Sequence, residues 1–197
     1  MRALAFSALF DYTSATGFRG RGGRVETHNI EPVLKRRMTM ADMPVTPTNT
    51  APMRVLFLCT HNSSRSQMAE GLLRARGGTR YQVFSAGTHP RAVHPLAIKA
   101  MAELGIDISE EAGHRAKGID DFADAPPMDL VVTVCDEAAE ECPYFPRARR
   151  QEHWGFPDPS AATGSEEERL AIFRRVRDAI AARIEAFLQQ DQERAAT

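Results

Sequence analysis

Residues 54–66 read Arg-Val-Leu-Phe-Leu-Cys-Thr-His-Asn-Ser-Ser-Arg-Ser. An apolar run of strand length ends in Cys59, five small or polar residues follow, and Arg65 and Ser66 lead into the helix-like Gln-Met-Ala-Glu-Gly-Leu-Leu-Arg. A buried strand that passes through a short loop into a helix commits this stretch to a β-loop-α unit. The loop is also a cradle for a tetrahedral oxyanion. Backbone N–H groups of Thr60, His61, Asn62, Ser63 and Ser64 face inward at a helix N-terminus, joined by Arg65 and Ser66, and the guanidinium clamps two oxygens. Cys59 then lies beneath the central atom, in positive surroundings that favour the nucleophilic thiolate. Asn62 suits the tight turn. Ser66 either donates to the thiolate, caps the helix, or does both.

Beyond this unit, strand-like runs alternate with helical periods. Strands are expected at 54–58, 81–85 and 129–134, with a weaker fourth at 151–154. A helix at 95–104 opens on His94-Pro95, with Ala97, Ile98, Met101 and Leu104 on one face. Ser-Glu-Glu-Glu at 165–168 is a capping box, and Leu170, Phe173, Val176, Ile180, Ile184 and Phe187 form a long apolar stripe behind it. The alternation predicts an α/β fold, a four-stranded parallel sheet with helices on both faces in three layers. Ligands bind such sheets beyond the C-terminal strand ends. Cys59 closes the first strand and Cys135 the third, so both emerge on the same rim.

Hydrophobic residues make up 43% of the 197-residue chain and charged residues 26%, which allows one ordinary globular domain plus an extension. A net charge of −1 gives no reason to expect nucleic acid or an anionic membrane as partner. No apolar stretch approaches the ~20 residues that span a bilayer. Three sparse cysteines argue against a secreted disulfide framework and for a reducing, cytoplasmic setting. Residues 1–52 differ from the rest: Gly-, Pro- and Thr-rich, and carrying seven basic and four acidic residues. They are read as a disordered or mis-started extension, with alternative starts at Met38, Met40, Met43 or Met53; residues 53–190 form the domain and 191–197 a flexible tail. Met1 to Phe10 only faintly resembles a signal segment, because Asp11 interrupts it.

Trp-Gly-Phe-Pro-Asp158-Pro159 follows the fourth strand. An aspartate held before a proline on a rim loop can act as general acid toward a departing oxygen, or serve as a turn cap. Cys135 and Cys142 lie seven positions apart just after the third strand. A continuous helix would hold them ~10 Å apart, beyond the ~7 Å between Cα atoms that a disulfide allows. They can bond only if the segment bends or unwinds; otherwise they are unrelated thiols on an acidic helix. Three thiolates could also hold zinc or arsenite, but the ligand spacing is not compact and an anion cradle is the wrong field for a dication. His61, His89, His94 and His114 read as loop or surface residues. No Walker-type phosphate loop is present.

With Cys59-Thr-His-Asn-Ser-Ser-Arg65-Ser-Gln-Met-Ala-Glu, Val131-Val-Thr-Val-Cys135, Glu141-Cys142-Pro and His153-Trp-Gly-Phe-Pro-Asp158-Pro in view, the chain resembles the arsenate reductases of the low-molecular-weight tyrosine phosphatase superfamily. The likeness is strongest to the thioredoxin-coupled branch and covers 54 to about 189. It implies a phosphatase-like three-layer fold and a sequential thiol mechanism. Cys59 attacks arsenate while Asp158 protonates the departing hydroxyl; Cys135 resolves Cys59; Cys142 resolves Cys135; thioredoxin reduces the final disulfide. It implies no bound cofactor, arsenate as substrate with phosphate as its analogue, and a monomer. Members of the branch hold a potassium ion with ligands that map onto Asn62, Glu70 and Ser85. The fourth ligand, an aspartate, falls at Lys117, so no metal and no potassium dependence are expected. His61 replaces a frequent glycine, and Ser160 stands where the phosphatase branch carries tyrosine. Two alternatives remain open: a phosphatase using Cys59, Arg65 and Asp158 alone, and a thiol-based arsenite-binding or redox-sensing module.

Overall fold

Strand β1 (Met53–Cys59) takes its place from composition: Val55, Leu56, Phe57 and Leu58 are wholly buried, apolar on both faces of the strand. A strand without a polar face must be covered on both sides, the condition of a central parallel strand. The computed structural model describes residues 51–136 and 144–196, so Cys142 and nearly all of the 1–52 extension lie outside the described residues. β2 (Tyr81–Gly87), β3 (Leu130–Thr133) and β4 (Gln151–His153) complete a four-stranded sheet of order β2-β1-β3-β4, parallel throughout. The expected α/β architecture is the one observed. β1 pairs with β2 on one side and β3 on the other, so the strand order reverses at β1, and the loop after it opens at that switch point.

Among the described residues three α-helices cover the sheet: α1 (Arg65–Gly77), α2 (Pro95–Ala102) and α3 (Glu166–Ala195). One face buries Val55, Phe57 and Val132 of the sheet with Met68 and Leu72 of α1 and the entire stripe of α3. The other buries Leu56, Leu58 and Val131 beneath Phe122, Met128 and Phe145, its described helical cover being the short 3-10 turn Ile119–Phe122. At the start of α3, Glu168 N–H donates to Ser165 Oγ at 3.3 Å and the Ser165 N–H donates back to Glu168 Oε2 at 2.8 Å, which satisfies donors the helix leaves open.

Two boundaries differ from expectation. α2 ends at Ala102, and Leu104, assigned to its apolar face, is 43% exposed. The Leu104, Gly105 and Ile106 N–H groups fold back onto the carbonyls of Met101 and Ala102, and Gly105 takes the left-handed φ of 72° that lets the chain leave the helix. α3 continues past residue 190, where the domain was expected to end. Asp191 accepts the hydroxyl of buried Tyr81, tying the last turns to β2.

Phe57 is fully buried with its ring 5.8 Å from that of Trp154. Phe57→Ala is expected to lower unfolding free energy by about 3–5 kcal/mol, read as a lower urea midpoint with the slope unchanged.

Candidate active site

The Cys59–Arg65 loop owes its shape to groups outside it. The Thr60 carbonyl accepts from His89 N–H at 2.8 Å, that of His61 from Arg91 N–H at 2.9 Å and that of Ser63 from His94 N–H at 2.8 Å. Gln67 Nε2 donates to the Asn62 carbonyl at 3.2 Å. Because a trans peptide holds its N–H opposite its C=O, carbonyls pulled outward turn the N–H groups toward the loop centre. Asn62 adopts a φ of 48°, a left-handed conformation that asparagine tolerates among non-glycine residues. β2 ends in Gly87 for a steric reason: a Cβ there would lie 2.7 Å from Asn62 N and 2.7 Å from the Thr60 carbonyl oxygen. The N-cap of α1 is Ser64, not Ser66, and it makes no capping hydrogen bond; no acidic residue occupies the first turn. Its buried hydroxyl has no hydrogen-bond partner among the described residues. In contrast to α3, the open N–H groups of α1 are left for an anion.

Cys59 is buried, and its sulfur receives the Asn62 N–H at 3.2 Å and lies 3.0 Å from the Ser66 hydroxyl. Two donors aimed at sulfur suit a thiolate. Asn62 Nδ2 donates to Ser66 Oγ at 2.9 Å and to Ser85 Oγ at 2.8 Å, and the Ser85 hydroxyl donates to Glu70. Buried Glu70 is balanced by Arg74 and by the Lys117 ammonium, 3.2 Å from Oε2. The cluster of Asn62, Glu70 and Ser85 thus already holds a cation, carried by Lys117. On the other side, Gln67 Nε2 donates to Asn62 Oδ1 at 3.0 Å, and Gln67 Oε1 lies 3.0 Å from His114 Nδ1. His114 lies in a loop, as expected, and is buried there. Its Nε2 faces the Arg74 guanidinium at 3.1 Å and can only accept there, so Nδ1 carries the hydrogen. Burial, with Arg74 and Lys117 nearby, lowers its pKa against the opposing pull of Glu70.

Arg65 is buried; its Nη1 donates to the Phe156 carbonyl at 3.2 Å and its Nη2 lies 3.7 Å from Asp158 Oδ2. Asp158 also caps the 3-10 turn Pro159–Ala161, accepting from Ser160 N–H at 3.1 Å and from the Ser160 hydroxyl at 2.8 Å. The turn-cap reading of Asp158 is the one these contacts describe, and the same carboxylate faces Arg65. Cys135 is fully buried just past β3. Val134 N–H donates to the Leu58 carbonyl at 2.8 Å, which carries the β1–β3 ladder to the strand end. In this register Cys59 falls opposite Val134, and Cys135 lies one residue further along on the same rim. Among the described residues neither takes part in a disulfide.

The fold thus brings a buried cysteine, a buried arginine and a rim aspartate together around one strand-to-helix loop. Residues 54–196 match the family described as low molecular weight phosphotyrosine protein phosphatase. The chain belongs to that family. An arsenate reductase of Bacillus licheniformis is 46% identical over 138 residues, covering 68% of this chain and 94% of the relative. The arsenate reductase of Bacillus subtilis strain 168 shows the same identity and coverage. A solved arsenate reductase in a phosphate-binding state superposes with a TM-score of 0.58 at 34% identity, over 70% of this chain and 98% of the other. The Corynebacterium glutamicum thioredoxin-dependent arsenate reductase aligns at 27% identity and a TM-score of 0.54, over 73% and 64%. The chain therefore sits in the arsenate reductase branch of the family.

Several residues that shape this family site were not legible in the sequence. Gln67 and His114 meet from positions 47 residues apart, and no local pattern links them. Gly87 had a signal, a glycine ending a strand beside the rim. His94 caps α2 through Nδ1, which accepts from Leu96 N–H at 3.1 Å, and its ring stacks on Phe173 with centroids 4.6 Å apart.

Burial and Arg169 lower the pKa of His94, while Asp158 opposes. Below the ordinary histidine value of 6.5, the unfolded chain binds protons that folded His94 and His114 refuse, so stability falls with pH. Melting temperature is expected to drop from about pH 7 to about pH 5, and His94→Asn, a cap that does not titrate, should reduce that drop. Gly87→Ala is expected to displace the loop and weaken phosphate binding at least tenfold by calorimetry, about 1.4 kcal/mol.

Proposed function

We propose that the chain reduces arsenate to arsenite through a thiol relay that begins at Cys59. The observation that carries this reading is Cys135, a second buried thiol at the end of the strand next to the one that bears Cys59. Phosphate-ester hydrolysis has no use for it. Arsenate sits in the cradle formed by Thr60, His61, Asn62, Ser63, Ser64, Arg65 and Ser66, and the Cys59 thiolate attacks arsenic. Asp158 protonates the departing oxygen, which leaves as water. Cys135 then attacks Cys59 Sγ: an S–S bond forms, the S–As bond breaks, and its electron pair stays on arsenic, which leaves as arsenite. Cys142 attacks Cys135 in turn and frees Cys59. The Cys135–Cys142 disulfide is reduced by an external dithiol of the thioredoxin type; the thioredoxin-dependent relative supports that choice.

The catalytic unit starts at about residue 53 and runs through α3, in line with a family match over residues 54–196. No cofactor or metal takes part, and the Lys117 ammonium on Glu70 serves where a potassium ion would otherwise sit. Among the described residues no helix is long and apolar enough to cross a membrane. The enzyme is proposed to act in the cytoplasm as a monomer, since one chain supplies the whole cradle. A second activity has one supporting observation. Cys59, Arg65 and Asp158 come together without the other two thiols, so slow hydrolysis of small phosphomonoesters is expected.

Cys135→Ser and Cys142→Ser should each abolish multiple-turnover arsenate reduction while sparing p-nitrophenyl phosphate hydrolysis; unchanged reduction in both would remove the relay. Asp158→Asn should slow both reactions about a hundredfold or more in kcat. Turnover should be equal in potassium and sodium buffers, and strong stimulation by potassium alone would refute the ammonium substitution.

A further inference from the structure

We infer that Gln67 is a positioning residue for the nucleophile: it sets the direction of a hydrogen-bond chain that ends with the Ser66 hydroxyl donating to the Cys59 sulfur. This rests on Cys59 being the nucleophile, as proposed above, and adds a residue that acts on it through two others.

A hydroxyl beside the sulfur helps a thiolate in one sense only. Ser66 Oγ lies 3.0 Å from Cys59 Sγ, and either atom could be the donor. A thiolate requires the hydrogen to come from Ser66, whose oxygen must then find its own donor elsewhere. Asn62 Nδ2 is that donor, at 2.9 Å, as long as the Asn62 amide keeps its nitrogen toward Ser66. Reversed, the amide would present Oδ1 there, draw the Ser66 hydrogen to itself and leave the sulfur without it.

Groups beyond this pair fix the turn of the amide. Two donors converge on Asn62 Oδ1, Gln67 Nε2 at 3.0 Å and the Lys117 N–H at 2.8 Å. The Gln67 amide is itself held in one sense. Its nitrogen meets two further oxygens that can only accept, the Asn62 carbonyl at 3.2 Å and the Arg115 carbonyl at 2.9 Å. Its oxygen lies 3.0 Å from His114 Nδ1. That nitrogen carries the hydrogen, because His114 Nε2 faces the Arg74 guanidinium, which can only donate, at 3.1 Å. Arg74 is anchored in turn by Glu70 and by the Val83 carbonyl at 3.2 Å. Direction is therefore handed from Arg74 through His114, Gln67, Asn62 and Ser66 to Cys59, with a donor and an acceptor assigned at every step.

Burial makes that direction matter. Asn62, Ser66 and Gln67 are wholly buried, and His114 is nearly so. A reversed amide would set oxygen against oxygen where no solvent compensates, at the full desolvation penalty of each unmet group. Gln67 sits in the first turn of α1, so the helix fixes where its amide stands. From there one side chain holds Asn62 twice, at the carbonyl of its left-handed turn and at Oδ1. Without it, the Lys117 N–H is the one donor left at Oδ1 among the described residues.

The test uses the full chain in a Cys135→Ser, Cys142→Ser background, in which Cys59 is the single thiol. The thiolate is read at about pH 6 by its ultraviolet absorbance and by the rate of alkylation with iodoacetamide. Gln67→Met keeps the side chain's length and removes its donors. It is expected to slow alkylation roughly tenfold and to lower the thiolate signal, as is Ser66→Ala. Because Gln67 acts through Ser66, the double variant should be no slower than Ser66→Ala alone. His114→Asn, which can still donate to Gln67 Oε1, should stay within about threefold of the parent, whereas His114→Leu should behave like Gln67→Met. This second pair decides the question should Gln67→Met fail to fold. Additive losses in the double variant, an unchanged thiolate signal in Gln67→Met, or equal losses in His114→Asn and His114→Leu overturn the inference. A parent that alkylates no faster than free cysteine would instead defeat the reading of Cys59 as nucleophile, so the two failures are distinguishable.

Discussion

The site depends on four carbonyls that point the wrong way for a helix start. Those of Thr60, His61, Asn62 and Ser63 are held outward by His89, Arg91, Gln67 and His94. Only while those bonds exist do the opposite N–H groups converge on one point. The partners come from the segment that follows β2 and from the first turn of α1, so the anion cradle exists only in the folded sheet. Gly87 sets how close β2 can bring that segment, and Asn62 takes the left-handed turn that the close approach demands.

Around the cradle the chain buries several charges, and each has a counterpart. Glu70 is met by Arg74 and Lys117, and Arg65 by the Phe156 carbonyl and Asp158. An unpaired ion in such a place costs several kcal/mol, so these pairs limit which substitutions the site tolerates. Lys117 is the departure with the clearest physical meaning. Its ammonium lies 3.2 Å from Glu70 Oε2, so the buried carboxylate beside Asn62 and Ser85 is neutralised by the protein's own cations. His114 extends the same network, linking the half-exposed Arg74 through Gln67 to the Asn62 side chain that positions the nucleophile.

Topology separates a hydrolytic from a reductive use of one loop. β1 is central, so its C-terminal end has a neighbour on each side: Gly87 of β2 shapes the loop, and β3 brings a second thiol. β4, beside β3, brings Thr133's partner His153 to the same rim. Chemistry that passes electrons from thiol to thiol needs such lateral neighbours. Ester hydrolysis needs only the loop and the aspartate.

The β-loop-α unit at 54–77, the four strands, the capped α3 and its stripe were legible from residue order alone, because each depends on local periodicity and short-range capping. Cys59, Arg65 and Asp158 could be singled out because the first two sit between a strand and a helix and the third on a loop after the last strand, so that one sheet rim brings them together. Leu104 was misplaced because a helical period does not reveal where a glycine will turn the chain out. That His114 is buried within its loop was not legible, because burial of a single polar residue depends on partners far away in sequence. What the sequence determined by itself is the set of elements and the oxyanion-binding motif. Tertiary structure alone decided which way the loop's peptides face and how Glu70 is neutralised. Each of those depends on strand register and on contacts between segments tens of residues apart, and local sequence carries no direct signal of them.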